Sequence, residues 1–291
     1  MLQISINILL SSFLYIIFSL SFYLIFKPTK IFHIAHAFTI GLGAYMVYGF
    51  YQLLALNLAF SILLALIITL FYGLAIEFLF YRHLRGKKES NIKMLILSLG
   101  VYIVSQNLIS IFFGDDIKAL NKGAVTVGNE FMGAYITDIQ IVTMLVSVMV
   151  LFLTLYVWYR TKFGFAIRAI ADNPELATVF GISKEKIILI AFGLGSFYAG
   201  LGGILVGFDT GITPTFGFSL LLYAIVVMII GGVESILGIV AGAFILALAQ
   251  NLTAYYIDTK WMDAITYGIL IVFLIVRPYG VSGIKNKRVE I

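Results

Sequence analysis

Two histidines with a spacing that could hold a metal stand at the start of the second hydrophobic run. His33 and His36 are three residues apart, so a helix would place them on one face. A closed zinc site needs four ligands, and the chain has no cysteine and no suitably placed carboxylate to complete the set. We therefore expect these histidines to form hydrogen bonds within a helical bundle, and we expect no metal or other cofactor. An intramembrane metalloenzyme that uses both histidines is the alternative.

Motifs of nucleotide and peptide chemistry are absent from the sequence. The chain has neither a GxxxxGK[ST] motif, which would bind ATP phosphates, nor an HExxH motif. Glu77 lies at the end of the third hydrophobic run, just before a basic segment that begins at Arg82. Near a membrane interface, pairing with Arg82 or a neighbouring helix explains this carboxylate better than proton or ion coupling. The chain is thus predicted not to be an enzyme.

A charged, proline-containing stretch separates two long apolar runs and has the pattern of a short helix (RAIADNPELATVFGISKEK, residues 168–186). Asn173 can cap this helix, Pro174 suits its first position, and Glu175 complements the amino-terminal dipole. Asp172 with Glu175 offers an alternative capping box, and Gly181 suits the position just after the helix ends. The pattern predicts a helix of about two turns over residues 174–180.

The predicted helix carries three apolar side chains without an obvious partner. Leu176, Val179 and Phe180 should be exposed, because charged residues flank the helix. Lipid headgroups would bury them if the helix lies in the membrane interface. A groove on a cytoplasmic protein would bury them equally well. The residues alone leave both alternatives open.

Composition places these residues in an integral membrane protein. The chain has 291 residues, of which 62% are hydrophobic and only 11% are charged, whereas a soluble domain has about 25% charged residues. Residues 1–26 contain no Asp, Glu, Lys or Arg, and about 20 apolar residues suffice to span a bilayer. No basic region precedes the first run, so we expect a retained span rather than a cleaved signal.

Nine hydrophobic runs predict the fold class, an all-α polytopic membrane bundle of about nine transmembrane helices, with eight or ten also compatible. No stretch between the runs is long enough for a folded domain. Residues 1–291 should therefore form one transmembrane domain with a cytoplasmic loop at about 159–186. The runs are 6–26, 31–53, 54–81, 94–113, 139–158, 187–208, 216–233, 236–256 and 263–276, and no charge separates the second from the third.

The basic residues are distributed asymmetrically. With nine spans, 16 of the 19 Lys and Arg residues fall on one side, and only Lys118, Lys122 and Lys260 fall on the other. The positive-inside rule then places the amino terminus outside and the carboxyl terminus in the cytoplasm. Orientation in a lipid membrane thus explains the net charge of +5, and no nucleic-acid partner is expected.

Small residues recur four positions apart in the later spans. This spacing lets helix backbones approach closely in lipid. Helix packing is the favoured explanation, and a place beside a solute path is the alternative. The pairs are Ser196/Gly200, Gly203/Gly207 and Gly238/Gly242.

The stretch GFAIRAIADNPELATVFGISKEKI resembles the cytoplasmic coupling loop of permease subunits in ATP-binding-cassette importers, in particular those for branched-chain amino acids. The similarity continues through FGLGSFYAGLGGILVG (192–207) and PTFGFSLLLYAIVVMIIGGVESILGIVAGAF (214–244), and more weakly through FHIAHAFTIGLGAY (32–45). It covers the chain from about 12 to 278. The chain departs from the pattern after His36, where Ala37 and Phe38 follow, and at Glu234, in a turn that usually reads Gly-Gly-Ile-Gly-Ser.

The resemblance implies a multi-pass subunit of a prokaryotic plasma (inner) membrane that moves branched-chain amino acids or similar small polar solutes inward. Its partners would be two cytoplasmic ATPase subunits, a second, related permease and an extracytoplasmic solute-binding protein. A stand-alone secondary transporter is the alternative. The predicted ATPase-coupling residues are Arg168, Asp172, Asn173, Pro174, Glu175, Leu176, Val179, Phe180 and Gly181, and the predicted solute-path residues are His36, Gly41, Gly43 and Pro214.

Overall fold

The structure is a computed structural model that describes residues 2–87, 89–121, 128–131 and 133–283. Short π-helical turns extend α2 (Tyr48–Leu53) and join α3 to α4 (Glu77–Tyr81), and a 3-10 turn (Thr259–Trp261) leads into α12. The helices are α1 (Leu2–Thr29), α2 (His36–Val47), α3 (Leu58–Ile76), α4 (Arg82–Gly86), α5 (Asn91–Phe113), α6 (Asp138–Arg160), α7 (Lys162–Asp172), α8 (Pro174–Val179), α9 (Lys184–Thr210), α10 (Phe216–Gly231), α11 (Ile236–Tyr256) and α12 (Met262–Val276).

Each predicted hydrophobic run coincides with a helix, so the predicted class of polytopic helical bundle is confirmed. Within the described residues, seven helical segments are long and apolar enough to cross a membrane by themselves. They contain α1, α3 with α4, α5, α6, α9, α11 and α12. Helix α10 has only 16 residues, and α2 reaches its full length only with its π turn. The count of nine spans therefore stays a prediction.

Helix α1 lies at the centre of the bundle. Every residue from Tyr15 to Pro28 is buried, although the helix stands at the start of the chain. The helix is apolar on all sides, and such helices are buried on all sides. It packs against α6, α9, α10 and α11, while α9 also packs against α2 and α3. The helices α1, α2 and α9 thus form a trunk around which the other helices stand.

Close backbone contacts hold this trunk together. A Cβ atom added at Gly43 of α2 would lie 2.6 Å from the Gly200 carbonyl oxygen of α9, and one added at Gly200 would lie 2.6 Å from Thr69 Oγ1 of α3. Gly242 of α11 approaches the Val227 carbonyl oxygen of α10 in the same way, at 2.5 Å from an added Cβ. Small residues at these positions act as helix-packing contacts, as the four-residue spacing predicted.

The break between α2 and α3, which the sequence left uncertain, falls at residues 54–57. Ala55 takes a left-handed backbone conformation (φ 51°), which ends the π turn. Asn57 then caps α3 by accepting a hydrogen bond from the Ala59 backbone N–H at 2.9 Å. A polar cap, rather than a charge, separates these two apolar helices.

The bundle has two distinct ends. One end, called the α8 end, carries the loops after α1, α6 and α10: Lys27 pairs with Glu234 in the α10–α11 turn, and Arg168 of α7 donates to the Trp158 carbonyl of α6. The opposite end carries a feature outside the all-α prediction, an antiparallel hairpin of β1 (Asn129–Phe131) and β2 (Ala134–Ile136). Gln3 of α1 accepts a hydrogen bond from the backbone N–H of Tyr135 at 2.8 Å, which ties the hairpin to the trunk.

We expect Gly43→Ala to destabilise the bundle by about 1–3 kcal/mol, the usual cost of overpacking, because the added methyl would press against the backbone of Gly200. Gly100→Ala is the matched control, since nothing lies within 4 Å of a Cβ atom at that helical position. The control should be neutral, or more stable by up to about 1 kcal/mol. Thermal unfolding of the two purified variants in detergent compares them, and equal midpoints would contradict the close α2–α9 contact.

Candidate coupling helix and solute path

Helix α8 is capped by the residues that the sequence singled out. Asn173 Oδ1 accepts hydrogen bonds from the backbone N–H groups of Glu175 (3.1 Å) and Leu176 (2.9 Å). Pro174 occupies the first turn, and Gly181 follows the helix with φ 81°, a conformation that suits glycine. The observed helix matches the predicted 174–180 to within one residue. Asn173, rather than the alternative Asp172, provides the cap.

The large apolar side chains of α8, and that of Phe180 directly after it, are mostly exposed. Leu176 is 53% exposed, Phe180 is 76% exposed and Val179 is 81% exposed, whereas Ala177 is buried against the bundle. Exposed apolar residues are ordinary when scattered singly, but these three lie within five positions on one capped turn. Their arrangement is that of a contact surface without its partner.

A groove of about 960 Å³ lies beside these residues, between α7, α8 and the start of α9. Its wall is mostly apolar, and charged side chains stand at the edges. The concave surface therefore continues the exposed patch of α8. Its lining consists of Lys162, Phe163, Phe165, Ala166, Ala169, Asp172, Asn173, Leu176, Ala177, Phe180, Ile182, Ser183, Lys186, Ile187 and Ile190.

Sequence reasoning missed α7 as a separate helix. Thr161 caps it by accepting a hydrogen bond from the Gly164 backbone N–H at 3.2 Å. Ala166, Ile167 and Ile170 are buried where α7 packs against α1, α6 and α9. The threonine cap and this apolar spacing were the signals that could have revealed the helix. Helix α7 joins α8 to the trunk.

Arg168 differs from the other predicted coupling residues, because it is turned toward its own chain. Its guanidinium donates a hydrogen bond to the Trp158 carbonyl oxygen and lies 5.8 Å from the ring centres of Trp158 and Tyr159. Asp172, Asn173, Glu175 and Gly181 are exposed around α8. The structure thus brings the predicted coupling residues together at one end of the bundle, and the Arg168 side chain points from α7 toward α6.

The four predicted path residues lie in two places. His36 and Gly43 are buried within the trunk, so their side-chain positions are filled by protein. Gly41 lies where α2 meets α10, with an added Cβ 3.7 Å from the Phe216 ring, and Pro214 is half-buried in the turn before α10. The segment that leads into α10 is therefore the most accessible part of the set.

The two histidines of the predicted pair are fully buried and hydrogen-bonded. His33 Nδ1 lies 2.9 Å from the Tyr81 hydroxyl, and His36 Nε2 lies 3.0 Å from Ser21 Oγ. In the part of the chain that the structure describes, no group of three or more His, Cys, Asp or Glu residues could hold a metal ion. The histidines join α2 to α1 and to the end of α3.

The predicted partner of Glu77 needs correction. Glu77 forms its ion pair with Arg85, while Arg82 pairs with Glu185 of α9 at 2.6 Å. Residues 77–81 form a π-helical turn, so the ordinary helical period does not predict which arginine faces Glu77. In the structure Arg85 reaches Glu77, and Arg82 is directed to α9. The Glu77 carboxylate is thus paired within its own helical segment.

A set of long apolar helices, with a short capped helix that exposes apolar side chains between two of them, defines a multi-pass membrane protein. The model of the family described as branched-chain amino acid transport system, permease component, matches residues 4–275. The chain belongs to that family. The resemblance drawn from the loop sequence is thereby confirmed, as is a multi-pass location in the plasma membrane.

Several curated relatives are similar over most of the chain. The high-affinity branched-chain amino acid transport permease LivH of Escherichia coli K12 is 33% identical over 75% of this chain and 72% of its own length. BraD, a permease of the same description from Pseudomonas aeruginosa, is 29% identical over 92% of this chain and 91% of its own. The galactose/methyl galactoside import permease MglC of Salmonella typhimurium is 27% identical over 62% of this chain and 57% of its own. No solved structure matches the chain.

We expect Asn173→Ala to loosen α8, since the loss of an N-cap costs about 1 kcal/mol. The backbone amides of Glu175 and Leu176 should then exchange hydrogen about fivefold faster. Asn57→Ala removes an equivalent cap from α3 and serves as the control, with faster exchange at Ala59 and Phe60 and unchanged exchange at α8. Unchanged exchange at α8 in the first variant would show that the cap does not hold this helix.

Proposed function

We propose that this chain is the permease subunit of an ATP-binding-cassette importer that moves branched-chain amino acids or similar small polar solutes inward. Membership of the permease family supports this, and two relatives are named for branched-chain amino acid transport. A third is named for galactose import, so the solute class is left at small polar molecules. The exposed, capped α8 carries the proposal, because it is the surface on which a separate ATPase would act.

The chemistry of α8 favours a protein partner over lipid. Helices that lie in the membrane interface carry Lys and Arg on their polar face, to match anionic headgroups. Residues 172–183 contain no basic residue, and Asp172 and Glu175 are the charged ones. An acidic, capped turn with exposed Leu176, Val179 and Phe180 is suited instead to a groove on a cytoplasmic protein. Burial of these apolar side chains would supply most of the affinity, since a few buried anchors dominate binding at protein interfaces.

Movement of α8 would reach the membrane helices through α7. The Asn173 cap and the Gly181 turn make α8 a stiff unit, and α7 is packed against α1, α6 and α9. Closure of an ATPase dimer around α8 would shift these helices together and exchange inward-facing and outward-facing states. Arg168 contributes by fixing α7 to the end of α6, and Asp172, Pro174 and Glu175 contribute by shaping the exposed turn.

The proposed assembly contains two ATPase subunits, a second related permease and an extracytoplasmic solute-binding protein. Membership of an importer family implies ATPase and solute-binding components in general. The exposed face of α5 supports the second permease, because Gly100 and the amide of Asn107 interrupt exposed residues that are otherwise apolar from Ile96 to Phe112. Small and polar residues are typical of helix–helix contacts in membranes rather than of lipid-facing surfaces.

The proposed solute path runs beside the start of α10. Pro214 lies in the irregular turn between α9 and α10, and irregular backbone is tolerated in a membrane only where protein or a watery cavity surrounds it. Thr215 and Ser219 are exposed next to it, which provides polar groups. Gly41 lies where α2 meets α10, and His36 and Gly43 act by holding α2 in the trunk.

We also propose nine spans in one transmembrane domain over residues 1–291, with the amino terminus outside. The α8 end is then the cytoplasmic end. Helices α2 and α10 are the two short spans, since each links loops at opposite ends of the bundle. The distribution of the Lys and Arg residues supports this orientation.

Leu176→Asp and Val179→Asp should each abolish co-purification of the ATPase and reduce solute uptake to background. A carboxylate on either side chain cannot enter an apolar groove without losing its hydration. Both side chains are exposed, so the bundle itself should stay folded.

Val281→Asp is the matched control, since Val281 is an exposed apolar residue at the same end of the bundle, outside α8. It should keep normal ATPase binding and uptake. Normal binding in both α8 variants would refute the coupling role. Gradient-driven uptake by the purified chain alone in liposomes would instead favour the stand-alone secondary transporter.

The absence of natural cysteine permits a direct test of orientation. Thr178→Cys and Asp116→Cys each place a single thiol on an exposed residue, at opposite ends of the bundle. In intact cells, a membrane-impermeant maleimide should label Asp116→Cys only, and Thr178→Cys should require permeabilised cells. The reverse pattern would show that the proposed orientation is wrong.

A further inference from the structure

A group of opposite charges is buried at the α8 end, between α1 and the α10–α11 turn. The side chain of Lys27 is only 5% exposed, and its ammonium group donates to a carboxylate oxygen of Glu234. Lys30 Nζ lies 3.7 Å from the other oxygen of the same carboxylate. One acidic side chain from the turn thus binds two basic side chains at the end of the central helix.

Burial makes the inner pair unlike a surface ion pair. An exposed pair contributes little to stability and is screened by salt. A buried pair keeps its charges only while both partners are present, because a single charge left in the bundle has no compensation. The pairing of Lys27 with Glu234 therefore fixes the end of α1 against the α10–α11 turn.

A continuous set of side-chain contacts joins this pair to the coupling segment. The Lys27 ammonium lies 6.0 Å from the centre of the Tyr23 ring, and the Tyr23 and Trp158 rings are 5.2 Å apart. Trp158 is the residue whose carbonyl and ring bind Arg168 of α7. Two aromatic rings thus lie between the cations Arg168 and Lys27 along this route from α7 to α1.

A second link runs through Lys30. Partial burial lowers the pKa of the Lys30 ammonium, while the carboxylates of Glu234 and Asp172 oppose that shift. Asp172 is the last residue of α7 and directly precedes the Asn173 cap. Lys30 thus lies in the electrostatic field of the α10–α11 turn and of the coupling segment at the same time.

We propose that the Lys27–Glu234 pair, with Lys30 as its second cation, is a positioning element that transmits movement of α7 and α8 to the α10–α11 turn. The proposal rests on the proposed function. When α7 moves, the route through Trp158 and Tyr23 displaces Lys27, and the carboxylate of Glu234 follows. Helix α10, which begins beside the proposed solute path, then moves with its turn.

An ion pair that only stabilises the fold and one that transmits movement should respond differently to substitution, and this difference provides the test. Replacement of a buried pair by apolar residues of similar volume is often neutral or stabilising. The double variant Lys27→Met/Glu234→Met should therefore assemble normally with the ATPase and the solute-binding protein. If the charges transmit movement, uptake should fall by about fivefold or more, in the range of typical coupling free energies. ATP hydrolysis should also lose its stimulation by the loaded solute-binding protein.

The exchanged variant Lys27→Glu/Glu234→Lys guards against indirect effects, since it restores a pair of opposite sign at the same place. It should recover part of the uptake that the double methionine variant loses. Lys93→Met/Glu89→Met removes an exposed pair at the start of α5, whose nitrogen and oxygen are 2.5 Å apart, and serves as the matched control with unchanged uptake.

Unchanged uptake and stimulation in the double methionine variant would overturn the proposal, as would its failure to assemble, which would make the pair structural. These outcomes can be distinguished from a failure of the proposed function. If the proposed function is wrong, the unaltered complex, reconstituted with its ATPase, would itself show no ATP-dependent uptake.

Discussion

The arrangement of the helices is set by one constraint, which is that the hydrophobic effect contributes little to helix association inside a membrane. Lipid is as apolar as leucine, so helices associate through close packing and hydrogen bonds rather than through exclusion of water. The trunk satisfies this constraint at glycines, where α2 meets α9 at Gly43 and Gly200 and α10 meets α11 near Gly242. Because these contacts leave no space for a methyl group, α1, α2 and α9 are held in one arrangement. That arrangement sets where α7 packs and where α8 protrudes.

Local structure was predictable where a side chain acts on its own neighbourhood. The cap at Asn173, the first position of α8 at Pro174 and its end at Gly181 follow from bonds that span at most three residues. The long apolar helices followed from composition for a similar reason. The family also followed from sequence, because the coupling loop and the later spans carry its residues in order.

Features that depend on distant parts of the chain were not predictable. Helix α7 owes its position to packing against α1, α6 and α9, which a window on the sequence does not contain. Arg168 looked like a cation offered to a partner, yet its ligand is the carbonyl of Trp158, ten residues earlier. Glu77 lay near two arginines, and the contact of Arg82 with Glu185 of α9 leaves Arg85 as its partner. The positions of the predicted path residues were not predictable for the same reason. His36 is buried in the trunk, whereas Pro214 is half-buried in a turn, and the sequence does not show this difference.

Two placements of side chains that are unusual for a membrane protein occur at the same end of the bundle, and together they support transmission of movement. Val179 and its neighbours place apolar surface in water, while Lys27 and Glu234 place charge inside the protein. Each placement is unfavourable by itself, and such local conflicts concentrate at functional sites. The proposed partner would relieve the first, and the other member of the pair relieves the second. A partner that covers α8 therefore acts on a segment whose packing leads, through Trp158 and Tyr23, to a buried ion pair at the end of the central helix.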